Sequence, residues 1–326
     1  MIGFDEIVGN ESVKEHMRIA LNGKKIPHGY ILNGEDGMGK MSLTFNYVKM
    51  ILCEGDGSDG CRCRSCKQIL SGNHPDVIYV SHAKPASIGV DDVRDGINES
   101  ILIKPYQSPY KIYIVDEAEK MTQQAQNALL KTIEEPPAYG IIFLLTTNAQ
   151  SFLPTILSRC VVLNLRPLTD VQVRERLKTV CPNTTKSEVI VRLARGNIGK
   201  ALRYAESDDF YETVGVFFKM FREIDRMKIE DILDTIRAMK NDDFSQEDCL
   251  DFIRTWYRDV LLFKSAGKSS LLVFAEERET IEREAGRLSF DRIREIFDAL
   301  EDVRRRLDAN VNYELAMELL LLKMKG

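Results

Sequence analysis

Hydrophobic residues in the first half of the chain form short continuous runs, which amphipathic stretches separate. Five runs suit strands, at residues 30–32, 77–80, 112–115, 141–146 and 161–163. Helical stretches, for example 123–135, lie between them. Continuous apolar strands that alternate with helices predict a parallel sheet covered on both faces. We therefore expect an α/β domain here.

The pattern changes to helical periodicity in the second half. All ten prolines lie at or before Pro182, and proline is the strongest helix breaker. Ser245 to Asp248 resembles a capping box, which predicts that a helix begins there. We expect an α/β domain over residues 1–165, a small helical lid at 166–206 and an all-α bundle at 207–326. Apolar residues at helical spacing support the bundle, namely Leu250, Ile253, Tyr257, Val260, Leu261, Phe290, Ile293, Phe297, Leu300, Val303 and Leu307.

Composition and charge narrow the class of protein. Hydrophobic residues make up 44% and charged residues 29% of the 326, which is typical of a folded chain. Its net charge of −5 argues against a dedicated nucleic-acid coat protein, because such proteins carry a basic excess. We see no secretory signal and no apolar run long enough to span a bilayer. We expect a cytoplasmic protein with mostly reduced cysteines.

The first predicted strand leads into a phosphate-binding loop, Gly34-Glu35-Asp36-Gly37-Met38-Gly39-Lys40. Its glycines would turn backbone N–H groups toward phosphate oxygens, and Lys40 would reach the terminal phosphates. Met41 then replaces the serine or threonine whose hydroxyl normally binds magnesium. Ser42 lies about 100° further round the helix and is not expected to substitute. Gly34, Gly37, Gly39 and Lys40 therefore suit ATP, whereas we expect weak or absent hydrolysis.

Two acids, Asp116 and Glu117, follow the third predicted strand. In nucleotide-hydrolysing phosphate-loop proteins the first acid supports magnesium, and a second acid can polarise the attacking water. The alternative is a strand followed by an acidic helix start, because acids stabilise a helix N-terminus. After a phosphate loop, we favour the nucleotide-site interpretation.

Four cysteines, Cys53, Cys61, Cys63 and Cys66, fall within fourteen residues. Four thiolates at close range in a reduced compartment predict a structural zinc site in an insertion over residues 53–66. The alternatives are a loop of free cysteines, or a site in which His74 replaces one thiolate. That histidine also suits a turn cap before Pro75. The scattered Cys160, Cys181 and Cys249 are predicted to be core thiols.

A set of short stretches, in addition to the phosphate loop and the cysteines, carries a family resemblance. These are Phe4-Asp5-Glu6-Ile7-Val8-Gly9, His28-Gly29-Tyr30, His74-Pro75-Asp76, Val115-Asp116-Glu117-Ala118-Glu119, Asn127-Ala128-Leu129-Leu130-Lys131, Glu134-Glu135-Pro136-Pro137, Thr146-Thr147-Asn148 and Ser158-Arg159-Cys160. In this order they resemble the AAA+ clamp-loader subunits of bacterial DNA polymerase III, in particular the delta prime type. The second and third cysteines depart from the family spacing, since one residue rather than two separates them.

The resemblance implies roles for individual residues. Asn148 would be a sensor residue near the terminal phosphate, and Arg159 an arginine finger that acts in trans at a neighbour's nucleotide site. Lys200 stands where active members usually carry a second-sensor arginine. This departure again implies that the chain's own nucleotide site hydrolyses ATP weakly. Lys131 would face the DNA, or would be a solvated lysine beside Glu134.

The resemblance also implies a function in DNA replication, within a hetero-oligomer. The chain would join gamma/tau and delta subunits, and the complex would load the sliding clamp onto primed DNA. It would be an accessory part of the DNA-directed DNA polymerase holoenzyme without a polymerase site of its own. The alternatives are a gamma/tau-type ATPase motor and a non-replicative nucleotide-sensing scaffold.

Overall fold

The computed structural model describes residues 4, 7–58, 60–80, 84–181, 187–240, 244–267 and 272–325. The chain divides into two compact units. The first is Met1–Gln172 with Gly196–Gly199, and the second is Val173–Arg195 with Lys200–Gly326. The three-part division expected from the sequence stays a prediction. Residues 173–195 and 200–206 of the expected lid belong to the unit of the C-terminal bundle, whereas residues 166–172 and the turn Gly196–Gly199 belong to the sheet unit.

The first unit contains a five-stranded sheet in the order β2-β3-β4-β1-β5, and every paired neighbour is parallel. The strands are β1 (Gly29–Asn33), β2 (Val77–Tyr79), β3 (Lys111–Val115), β4 (Gly140–Thr146) and β5 (Val161–Asn164). Each lies within one residue of its predicted bounds at both ends. The α/β prediction is therefore confirmed.

Helices cover both faces of this sheet. They are α1 (Glu11–Asn22), α2 (Lys40–Leu52), α3 (Arg64–Leu70), α4 (Val90–Val93), α5 (Gln123–Glu134) and α6 (Pro154–Leu157). Helix α7 (Asp170–Val180) begins in this unit, but most of its residues belong to the second unit. Successive residues of β4 enter opposite cores, because side chains alternate along a strand. Phe143 packs in one apolar cluster and Leu144 in the other. All of β4 is buried, which explains its continuous apolar run.

The second unit is helical. Its helices are α8 (Ser187–Ala194), α9 (Ile198–Glu206), α10 (Phe210–Glu223), α11 (Ile229–Met239), α12 (Gln246–Ala266), α13 (Arg278–Arg287), α14 (Phe290–Asp308) and α15 (Tyr313–Lys325). The predicted capping box is confirmed, because Ser245 and Asp248 exchange hydrogen bonds of 3.1 Å at the start of α12. Aromatic stacking holds the core, for example Phe221 on Trp256 at 4.2 Å. Among the described helices, none is both long and apolar enough to cross a membrane.

Candidate functional site

The phosphate loop connects β1 to α2 at the carboxyl end of the parallel sheet. Gly37 and Gly39 have φ angles of +81° and +90°, a region that side chains with a Cβ rarely adopt. The carbonyl of Gly39 accepts a hydrogen bond of 2.9 Å from the Leu43 N–H and so begins α2. The predicted strand–loop–helix context of the loop is therefore confirmed.

The ammonium of Lys40 is held by the loop itself. Its Nζ donates to the Gly34 carbonyl at 2.8 Å and to the Glu35 carbonyl at 3.1 Å. Lys40 is only 7% exposed. A phosphate group at this loop would have to compete with two backbone carbonyls for the lysine.

The turn Gly196–Gly199 contacts the tip of the loop. Asn197, 1% exposed, donates from Nδ2 to the Asp36 carbonyl at 2.6 Å, and the Gly199 N–H donates to the Gly37 carbonyl at 2.9 Å. A Cβ on Gly199 would lie 2.6 Å from Gly37 Cα, so only glycine fits this approach. Sequence reasoning identified this stretch as a turn but missed that Asn197 contacts the loop.

Met41 is part of the apolar core, because it is partly buried against the cluster on its face of the sheet, as is Phe45. Ser42 is exposed. Both residues line a cavity of about 560 Å³ with Cys61 and Arg62 of the cysteine insertion. The side chain that replaces the magnesium-binding hydroxyl is thus apolar and contributes to packing.

The two acids after β3 lie at the same sheet edge as the phosphate loop. Asp116 Oδ1 accepts a hydrogen bond of 3.0 Å from the Glu117 N–H. Glu117 has a left-handed φ of +48°, and its carboxylate pairs with Lys120 Nζ at 2.7 Å. The Glu117 carboxylate is thus engaged by a lysine three residues further along the chain.

Hydrogen bonds from neighbouring polar groups hold Thr147 and Asn148, which follow β4. Asn148 is exposed, and its Oδ1 accepts a hydrogen bond of 3.0 Å from the Gln150 N–H. Glu119 accepts from the Thr147 N–H at 3.2 Å and from its hydroxyl at 2.8 Å. Burial opposes the charge on Glu119, but these hydrogen bonds outweigh it and lower the pKa of the carboxyl. Sequence reasoning missed this contact between Glu119 and Thr147.

Arg159 lies just after α6 on the surface of the first unit, and its side chain is 40% exposed. Its guanidinium donates to the Thr155 carbonyl at 3.1 Å and to the Ser158 hydroxyl at 3.2 Å. A third contact of 3.1 Å joins it to Glu134 of α5. Arg159 therefore has a defined position at the surface.

Lys200 belongs to the second unit and is paired there. Its Nζ lies 3.2 Å from Asp248 and 3.2 Å from Asp251, both on α12. Burial opposes the charge, but these two carboxylates outweigh it and raise the pKa of Lys200. The structure thus gives Lys200 a local role in joining α9 to α12.

The four predicted cysteines come together. Their Sγ atoms all lie within 4.8 Å of one another, and those of Cys53 and Cys61 are 3.5 Å apart. Four sulfurs at 2.3 Å from a central zinc ion would be about 3.8 Å apart. The cluster could therefore hold a metal ion with little rearrangement.

Backbone groups orient these thiols. The Gly55 N–H lies 3.3 Å from Cys53 Sγ, and the Cys66 N–H lies 3.4 Å from Cys63 Sγ. Burial opposes ionisation of Cys63, but backbone hydrogen bonds from Cys66 and Glu54 lower the pKa of its thiol to about 7. N–H donors that face sulfur support a thiolate ligand.

His74 is not among the grouped metal ligands of the described residues. Its Nδ1 accepts a hydrogen bond of 3.2 Å from the Asp76 N–H, and its Nε2 lies 3.2 Å from the hydroxyls of Ser65 and Ser108. The turn-cap interpretation of His74 therefore fits the structure, and the metal-ligand alternative does not.

Asp76 is 1% exposed. In the sequence it was identified only as part of a stretch that carries the family resemblance. It accepts backbone hydrogen bonds from Tyr106, Gln107 and Ser108. Burial opposes its charge, but these bonds outweigh it and lower the pKa of Asp76. This carboxylate organises the loop that precedes β3.

Comparison with known proteins gives two family matches. The model described as "DNA polymerase III, delta subunit" matches residues 9–169, and "DNA polymerase III, delta subunit, C terminal" matches residues 217–326. The chain is 28% identical over 308 residues to DNA polymerase III subunit delta' of Bacillus subtilis, and the match covers 92% of both chains. It is also 26% identical to subunit tau of the same organism, of which it spans 61%.

A solved structure supports the fold. The gamma subunit-related protein of DNA polymerase III from Thermotoga maritima matches with a TM-score of 0.51 and 20% identity, over 96% of this chain and 98% of that chain. This likeness extends across the sheet unit and the helical unit, and it confirms the predicted fold class. The two family matches and the similarity to delta' show that the chain belongs to the family of DNA polymerase III delta-type clamp-loader subunits.

Proposed function

We propose that the chain works as a delta prime-type subunit of the clamp loader, which places the sliding clamp on primed DNA during replication. The observation that carries this proposal is a phosphate loop whose lysine is bound by its own carbonyls and whose magnesium position is the packed Met41. A subunit of this kind would contribute to a neighbour's ATP hydrolysis rather than catalyse its own. The similarity to delta' over nearly the full length of both chains supports it.

Arg159 would carry the chemical contribution. A guanidinium that enters a neighbouring subunit's nucleotide site stabilises the charge that develops on the transferred phosphoryl group. Its surface position and its fixed contacts with Thr155 and Ser158 support this role. The chain would also keep the remains of a nucleotide site of its own. Its residues would be Gly34, Gly37, Gly39, Lys40, Asp116, Glu117, Asn148 and Lys200.

The C-terminal helices would form the oligomerisation collar with gamma/tau and delta subunits. Helix α15 supports this, because Leu315, Leu319 and Leu322 are exposed at helical spacing on one face. Lys131 is exposed near the end of α5, and its proposed contact with DNA remains a prediction. We propose that the chain acts in the cytoplasm, because bacterial DNA replication takes place there.

We infer further that the metal at the four cysteines is zinc. All-sulfur tetrahedral sites are typical of structural zinc, and the sulfur spacing suits its bond length. When bound, zinc would crosslink Cys53 to the segment Cys61–Cys66 and so hold the insertion folded. It would supply no chemistry to the nucleotide site.

Reconstitution tests the proposed function. The purified chain is mixed with gamma/tau-type and delta-type subunits, and the complex is examined by gel filtration and by clamp loading on primed DNA. We expect the chain to join the complex and to be required for loading, while it alone hydrolyses ATP negligibly. Turnover comparable to that of the motor subunit would instead support the gamma/tau-type alternative. Failure to join the complex would support the unrelated scaffold.

A further inference from the structure

Two kinds of contact hold the guanidinium of Arg159. Nη1 donates to the Thr155 carbonyl and to the Ser158 hydroxyl, and Nη2 forms an ion pair of 3.1 Å with Glu134 Oε1. Arginine has five N–H donors in a planar fork. Among the described contacts of Arg159, none engages Nε. The described hydrogen bonds of Arg159 therefore all use Nη1, and Nε is available to an external acceptor.

The Nε–H and an Nη2–H of arginine lie on the same edge of the fork. Parallel N–H donors on one edge bind a phosphate in a bidentate manner, which fixes its orientation as well as its distance. The contacts with Thr155, Ser158 and Glu134 restrain the orientation of this fork. Of the three partners, only Glu134 carries a charge and lies outside the segment that contains Arg159.

Glu134 is well placed to set this orientation, because its helix is tied to the segment that leads to α6. The side chain of Gln126, also on α5, donates to the Ser151 carbonyl at 3.1 Å and accepts from the Leu153 N–H at 2.8 Å. Gln126 is 4% exposed, so these bonds are protected from water. The two backbones that carry Glu134 and Arg159 are thereby held in a fixed relation.

We propose that Glu134 is a positioning residue for Arg159, which orients the guanidinium toward the phosphates of a neighbouring subunit. This inference rests on the proposed function, since it assumes that Arg159 acts in trans. A carboxylate adjacent to the arginine restricts the swing of its long side chain. Misplacement of a reacting group by about 1 Å can cost on the order of 10²-fold in rate.

A purely structural role predicts a different result. Both side chains are close to half exposed, and an exposed ion pair contributes about 0–1 kcal/mol to stability. Loss of Glu134 should therefore leave folding and assembly intact. Any loss of turnover in the assembled loader would then come from the orientation of Arg159.

The test uses the reconstituted loader with clamp and primed DNA, and measures kcat and KM for ATP. The variants are Glu134→Ala, Glu134→Gln, Arg159→Ala and the double variant Glu134→Ala with Arg159→Ala. Glu135→Gln is the matched control, because it removes the neighbouring exposed carboxylate. Gel filtration confirms assembly of each loader.

We expect Glu134→Ala to lower kcat at the dependent site by about tenfold or more with KM unchanged, and Glu134→Gln to lower it less, since the amide keeps an acceptor. The double variant should match Arg159→Ala, because the two residues act through one group. Glu135→Gln should behave as wild type.

Two outcomes separate this inference from the proposed function. If Arg159→Ala lowers turnover while Glu134→Ala matches wild type, or if the two losses add, Glu134 is not a positioning residue although the arginine finger stands. If Arg159→Ala has no effect in an assembled loader, the trans role fails and the inference fails with it.

Discussion

Two cationic side chains of the first unit, Lys40 and Arg159, differ in their exposure and in their hydrogen-bond partners. Lys40 of the phosphate loop is 7% exposed and donates to two carbonyls of its own loop. Arg159 is 40% exposed, and its hydrogen bonds use Nη1 only. The first cation completes the fold of the loop, whereas we propose that the second reaches a phosphate on another molecule.

Under the proposed function, this difference explains how a phosphate-loop fold is kept in a subunit that does not hydrolyse ATP itself. The glycines and Lys40 maintain the loop geometry, the turn Gly196–Gly199 packs on its tip, and Met41 adds to the core. Each of these contacts stabilises the chain whether or not a nucleotide is present. The family pattern therefore persists at the loop, while the proposed contribution to catalysis lies at Arg159.

The largest expected effect is at Arg159. Arg159→Ala should lower DNA-stimulated ATP hydrolysis by about 10³–10⁵-fold at the dependent site, because the guanidinium acts on charge that develops in the transition state. The whole loader should lose less, since it has other sites. Arg159→Lys should restore little, because lysine lacks the fork. Steady-state ATPase of the assembled loader measures this, with the exposed Arg94→Ala as control. Equal rates for Arg159→Ala and wild type would show that Arg159, like Lys40, makes no contribution to a neighbour's ATP hydrolysis.

The next effect concerns the insertion beside the phosphate loop. Cys63→Ser should lower the zinc content from one ion per chain to near zero, whereas Cys181→Ser, outside the cluster, should retain it. Zinc binding contributes about 10–16 kcal/mol in small zinc-finger peptides, so we expect the insertion to unfold locally. Metal analysis and limited proteolysis would detect both changes. A fully folded wild-type protein without metal would identify the cluster as free thiols.

A third variant probes the contact on the tip of the loop. Gly199→Ala would place a Cβ 2.6 Å from Gly37 Cα and 2.8 Å from its carbonyl oxygen, and backbone atoms cannot move aside easily. We expect a loss of about 1–3 kcal/mol in the free energy of unfolding, measured by urea denaturation. Gly215→Ala on α10 is the control, because its Cβ would enter open space. If both variants are equally stable, the turn does not support the loop.

Met41→Thr should have a smaller effect. It restores the hydroxyl that such loops use for magnesium, and we expect magnesium to strengthen ATP binding by about tenfold or less. The gain is limited because the loop carbonyls still compete for Lys40. Calorimetric titration with and without magnesium would measure it, with Met38→Thr as a control within the loop. An unchanged magnesium dependence would show that the rest of the site is lost as well.

The smallest expected effect is the pH dependence set by His74. Burial lowers the pKa of His74, so the unfolded chain takes up this proton first as the pH falls. Its contribution to stability should be complete above about pH 6.5 and should decline below that value. Asp76 titrates at a lower pH and does not contribute in this window, since its pKa is lowered.

Urea denaturation at pH 7.5 and pH 5.5 would test this, with metal content measured at both values. His74→Gln should reduce the difference in the free energy of unfolding between pH 7.5 and pH 5.5. His16→Gln, on the exposed face of α1, should leave that difference unchanged. An unchanged difference in His74→Gln would show that another group is responsible.

Local patterns made much of the fold predictable. The five strands, the start of α12 at Ser245 and the phosphate loop all depend on residues that are close in sequence, where spacing and conformational preference act directly. The cysteine cluster was also predictable, because a span of fourteen residues limits how far apart the thiols can lie. The family resemblance added the candidate role of Arg159, which periodicity could not indicate.

The sequence by itself determined the sheet, the helical second half, the phosphate loop and the grouping of the four cysteines. Only the tertiary structure decided which partner each polar group takes. Lys200 pairs with α12, Glu134 pairs with Arg159 rather than acting only as a neighbour of Lys131, and Asn197 contacts the phosphate loop. The reason is physical: a strand or a turn follows from neighbouring residues, whereas a hydrogen bond across 161 positions exists only when the packed fold brings both groups within about 3 Å.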